Sequence, residues 1–164
     1  MKIREYLWIL NIIGSLIILI SVLTPTSYND GPPLYYVWMT QISVDTDPLA
    51  IYLLRTDLLL VAISTFLALI IFSNGLIAIT LTTIYLRNSL NLKKLRWKLI
   101  VSAGLVIAFT LAWIIMMESF YNIYGYNHWS FTGGGYKPCF GVIGPFIGAV
   151  LIVFGSFARR KSGI

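Results

Sequence analysis

The chain has 164 residues, of which 58% are apolar and only 11% charged. An ordinary soluble domain is about 45–50% apolar and about 25% charged, so this composition cannot dress the outside of a water-soluble globule of one-domain size. One cysteine, Cys139, and one histidine, His128, exclude an internal disulfide, a CxxC pair, a thiolate-built metal site and a bis-histidine haem clamp within one chain. Six acids are too few for a carboxylate-rich metal centre, and no cofactor is expected.

A hydrocarbon core about 30 Å thick calls for roughly 20 apolar residues of helix. Four stretches meet that demand, at about 6–24, 57–86, 99–117 and 138–158. The first begins after Lys2 and Arg4 and stops before Pro25. It is longer than the apolar core of a usual signal peptide and lacks a clean small-x-small cleavage site, so it reads as an uncleaved anchor. The second would make a helix about 45 Å long, which must tilt, protrude or bend. Ser73, Asn74 and Gly75 sit at its middle, where a bend is easiest. Asn74 is the one candidate polar site inside the membrane, either on a solute path or in a bond to a neighbouring helix. Pro138 suits the start of the fourth stretch.

The cations set the orientation. All Lys and Arg except Arg55 and Lys137 precede the first span, fill the inner loop 87–98, or follow the fourth span. Short basic loops stay cytoplasmic, so both termini are expected on the cytoplasmic side of the cell membrane. The outer loops are then 25–56 and 118–137. The net charge of +6 is thus a topology signal, with anionic lipid head groups as natural neighbours. Nucleic acid is not expected as a partner.

In lipid, helices meet through small residues rather than through hydrophobic burial. The third span carries Gly104, Ala108 and Ala112 at intervals of four. The fourth carries Gly141, Gly144, Gly148 and Gly155 along one face. Both stripes are expected to pack helices within one molecule, with contact between molecules as the alternative.

The outer loops hold most of the tyrosines. The run from Leu34 to Val44 is rich in aromatic and β-branched residues and bounded by prolines, so it reads as a strand. A lone strand needs a partner: residues near Tyr28, the region from Trp129 to Thr132, or another molecule. The expectation is a small extracellular β-sheet formed by the outer loops over an all-α bundle of four transmembrane helices. Tyr35, Tyr36, Trp38, Trp129 and Phe131 are the candidates for contact with a partner, unless they build the core of the loops.

The layout resembles the claudin-like tetraspan membrane proteins, the group that includes claudins and peripheral myelin protein-like proteins. The likeness rests on four helices with both ends inside, a longer first outer loop with a strand, Tyr36-Val37-Trp38 in the place of the family's Gly-Leu-Trp, and Arg55 just before the second span. The family's paired cysteines after that tryptophan are absent here. The resemblance implies fold and topology. The absence of catalytic residues, with Tyr- and Trp-rich outer loops on a rigid bundle, implies a non-enzymatic membrane protein that associates laterally with other membrane proteins or with copies of itself, its outer loops reaching a partner or a neighbouring surface. Two other functions fit the residues: an accessory subunit of a larger membrane complex, and an oligomeric channel or carrier for small neutral solutes. Glu118, His128 and Cys139 do not specify an enzyme, because spacings of that kind across a loop fix no geometry.

Overall fold

A computed structural model describes residues 6–29, 34–38, 40–43, 50–53, 58–87, 92–123 and 136–157. Four helices dominate: α1 (Trp8–Val22), α2 (Leu58–Arg87), α3 (Leu92–Ile123) and α4 (Phe140–Gly155). Each packs on two others in the ring α1-α2-α3-α4, and α4 closes back on α1. The segments between helices supply β1 (Ser27–Asn29), β2 (Leu34–Val37), β3 (Thr40–Ser43), β4 (Ala50–Leu53) and β5 (Tyr136–Pro138). These pair antiparallel in the order β4-β3-β2-β1-β5.

The helix lengths differ from those expected. Two helices hold a stretch long and apolar enough to cross a bilayer, Ala62–Leu86 in α2 and Lys93–Ser119 in α3. With 15 and 16 residues, α1 and α4 are only about 22 and 24 Å long. Pro25 explains one shortening, since the residue before a proline avoids helical angles. Pro138 explains another. It does not open α4 but ends β5, opposite Ser27 on a sheet edge where a missing N–H costs nothing. Conversely, α3 starts at Leu92, so Lys93, Lys94, Arg96 and Lys98 lie on its first turns rather than in a loop.

At Ser73-Asn74-Gly75, the place where a bend is easiest, α2 runs on as one uninterrupted α-helix. Gly75 serves a different end. A Cβ there would lie 3.1 Å from Leu19 and 3.2 Å from Ile18, so the glycine lets α1 come close.

The expected strand from Leu34 to Val44 is two strands. Leu34 pairs with Ser43 and Val37 with Thr40, leaving a two-residue link at 38–39. Its first residue, Trp38, has φ 50°, the sign that a two-residue hairpin requires and that usually selects Asn or Gly. Burial accounts for tryptophan there. Trp38 is 4% exposed, and its ring meets Trp113 edge-on at 5.1 Å between centroids. The sheet is also fastened to the helix ends: Cys139 N–H donates to the Thr26 carbonyl at 2.9 Å, and Gly141 N–H to the Pro25 carbonyl at 2.8 Å.

Candidate functional site

Large apolar side chains are exposed on every helix: Ile13, Ile20, Phe66, Leu69, Ile115 and Phe154 are among them. The buried set, by contrast, includes Asn11, Ser15, Ser21, Ser64, Asn74, Thr82, Ser102 and Thr110. Most of these hydroxyls are satisfied by their own helix. Ser15 donates to the Asn11 carbonyl at 2.7 Å, Thr82 to Ala78 at 2.8 Å and Thr110 to Val106 at 2.7 Å, the back-bonding open to Ser and Thr in helices.

Side-chain hydrogen bonds from Ser102 and Trp113 join α3 to α2. Trp113 Nε1 donates to Ser64 Oγ at 2.5 Å. Ser102 Oγ lies 3.1 Å from both Asn74 Oδ1 and the Asn74 carbonyl, while Asn74 Nδ2 donates to the Ile70 carbonyl at 2.9 Å. Asn74 is therefore a link between helices. Replacing it with alanine leaves Ser102 the backbone carbonyl as acceptor, so Asn74→Ala is expected to lower stability by only about 1 kcal/mol, read as a small shift in the midpoint of denaturing-detergent unfolding.

Above this link, α2 and α3 enclose an open groove of about 430 Å³ lined by Asn74, Ile77, Leu81, Trp97, Lys98, Val101, Ser102 and Leu105. It is the size of many small-ligand sites. It runs from the Asn74–Ser102 pair towards the basic end of the bundle, opposite the sheet. At that end Arg96 donates from Nε to the Ser156 carbonyl at 3.3 Å, and its guanidinium stands 4.9 Å over the Phe157 ring. A cation is well placed beside the last carbonyls of α4.

The two small-residue stripes have different fates. Gly141, Gly144, Gly148 and Gly155 are buried, the last three against α1 and Gly141 against the segment that follows it. A Cβ on Gly148 would stand 2.5 Å from the Gly14 carbonyl oxygen, and one on Gly14 would stand 2.5 Å from that of Gly148, so the two backbones touch. Gly144 faces Ser21, Gly141 faces the Thr24 and Pro25 carbonyls, and Gly155 faces Asn11. Among the described residues, the Asn11 Oδ1 is buried there with no hydrogen-bond partner. Gly104, Ala108 and Ala112 instead lie on the exposed face of α3, and nothing would come within 4 Å of a Cβ on Gly104. The expectation that this stripe packs inside the molecule is thus corrected. The inward face of α3 carries Leu99, Ser102, Val106, Thr110, Trp113 and Met117.

Of the residues proposed for partner contact, Trp38 is in the core beneath the sheet rather than on its surface. Tyr35 and Tyr36 lie in β2, where the backbone but not the side chains is described. Trp129, Phe131 and His128 fall outside the described residues. Cys139, half-buried, directs its thiol at the Lys137 carbonyl, 3.8 Å away. Among the described residues no group of three His, Cys, Asp or Glu side chains could hold a metal ion.

What the sequence reading missed is the groove: Asn74 alone of its lining stands out there as a candidate polar site, and the opposite wall, on α3, is met only once the two helices pair. Compared with known proteins, the chain matches no protein-family model and no curated sequence.

Proposed function

We propose that the chain is a non-enzymatic integral membrane protein of four spans. Its basic end lies on the cytoplasmic side, its sheet on the other, and it associates laterally with membrane proteins or copies of itself. The observation that carries this reading is the surface: bulky aliphatic and aromatic side chains lie outside on all four helices, while hydroxyls and amides are buried among the apolar residues of the interior. Exposed apolar area of that extent is tolerable in lipid and not in water. The short α1 and α4 fit a bilayer through local thinning and through their flanking residues.

Lateral association is supported by α3. Gly104, Ala108 and Ala112 give its lipid-facing side a flat strip, which lets another helix approach closely. The layout proposed by resemblance to claudin-like tetraspan proteins is kept at the level of architecture only. Trp38, which helped to suggest it, faces inward, and the paired cysteines are missing.

In native membranes of cells making Ala108→Cys in a Cys139→Ser background, mild oxidation is expected to give disulfide-linked dimers. Ala149→Cys, buried on α4, should stay monomeric. If the companion is a different protein, mild-detergent pull-down should recover it with the wild type and lose it with Ala108→Leu. Monomers throughout and no companion would remove lateral association. Release of the protein from membranes by alkaline carbonate would remove the membrane reading itself.

A further inference from the structure

The groove between α2 and α3 combines two kinds of lining. Ile77, Leu81, Val101 and Leu105 make its walls apolar, and its two uncharged polar side chains away from the basic end, Asn74 and Ser102, engage each other. A polar solute would gain little by entering. At the other end the lining includes Lys98 and Trp97, the latter 62% exposed. Trp97 to Leu105 spans about 12 Å of helix.

This is the chemistry of an elongated apolar guest with a negative head. A lysine stem lies along apolar surface while its amine reaches for a polar layer, and an exposed tryptophan favours the same depth, at the level of head groups. The surroundings reinforce the sign. Arg87, Lys93, Lys94 and Arg96 belong to the same end, and among the described residues no carboxylate does. Arg96 is directed to Ser156 and Phe157, which leaves Lys98 as the cation of the groove itself.

We propose that the α2–α3 groove holds one acyl chain of an anionic phospholipid, with the lipid phosphate on Lys98. The inference rests on the membrane reading above and deepens it by naming a partner in the bilayer. Polybasic ends attract anionic leaflets in general; the groove adds a seat for a single molecule.

The test is native mass spectrometry of protein purified in mild detergent and titrated with phosphatidylglycerol or phosphatidylcholine of matched chains. One phosphatidylglycerol is expected to remain bound in preference to phosphatidylcholine. Lys98→Gln should lower its retention about fivefold, whereas Lys93→Gln, an equal loss of charge outside the lining, should leave it unchanged. Leu105→Trp fills the groove from an exposed position and should abolish retention of both lipids, with helicity by circular dichroism kept. Inorganic phosphate should not displace the lipid. Equal retention of the two lipids, or equal effects of the Lys98 and Lys93 variants, would overturn the proposal. So would displacement by phosphate, or dimers that lose their contact in Leu105→Trp while carrying no lipid. A protein that resists carbonate extraction yet shows no lipid preference refutes the groove alone; a protein released by carbonate refutes both.

Discussion

Gly148→Leu is expected to prevent the bundle from closing. The α1–α4 contact is made backbone to backbone, and even a methyl group at Gly148 meets the Gly14 carbonyl oxygen at 2.5 Å and the Ile18 side chain at 2.6 Å. A flexible side chain could turn away, but a helix carbonyl cannot. Overpacking of a core costs about 1–3 kcal/mol, and a rigid backbone puts Gly148→Ala at the upper end of that range. Leucine adds three more carbons and must push the helices apart along their length. Unfolding in mixed micelles, followed by circular dichroism, should show Gly148→Ala with a large loss of midpoint and Gly148→Leu with no cooperative transition. Gly104→Ala, where a Cβ has open space, should change stability by no more than about 0.5 kcal/mol. If both glycines tolerated alanine equally, the α1–α4 contact would be wrong.

Removing Trp113 is the second large effect. Its side chain is fully buried, bonds Ser64 across to α2 and receives the edge-on contact of Trp38 from the hairpin. Loss of a core tryptophan costs about 3–5 kcal/mol. On the membrane reading proposed above, the lower part of that range applies, because lipid solvates apolar groups as well as the interior does and only packing and the hydrogen bond are lost. Trp113→Ala should therefore lower stability by about 3 kcal/mol. Trp113→Phe, which keeps a ring but not the N–H, should cost about half as much. A double-mutant cycle with Trp38→Ala should show coupling of about 0.5–1.5 kcal/mol. Independence of the two tryptophans would mean that the hairpin does not rest on the bundle.

These two sites also show what can be read from a sequence of this kind. Long apolar runs announce the helices, and the α4 glycines fall on one face. The interval alone does not say which way a stripe points: Gly104, Ala108 and Ala112 repeat as regularly as the α4 glycines, yet face outward. The neighbours decide, since Ser102, Thr110 and Trp113 occupy the other side of α3 and need partners that lipid cannot supply. The hairpin was hidden for a different reason. Trp38 is a poor turn residue by local preference, and only its burial against Trp113, far along the chain, makes the positive φ worth adopting. The groove depends on two helices at once, so no single stretch displays it.

The ring closes between its first helix and its last. On the membrane reading proposed above, α1 enters the bilayer before α4 exists, and its inner face, with Asn11, Ser15 and Ser21, has no glycine surface to meet until α4 has been made, on the order of ten seconds later at ordinary rates of synthesis. On that reading, insertion and maturation are separate events in the life of this molecule. Through the interval α1 stands half-sheltered beside α2, a form that quality-control proteases and insertion chaperones would meet before any partner does.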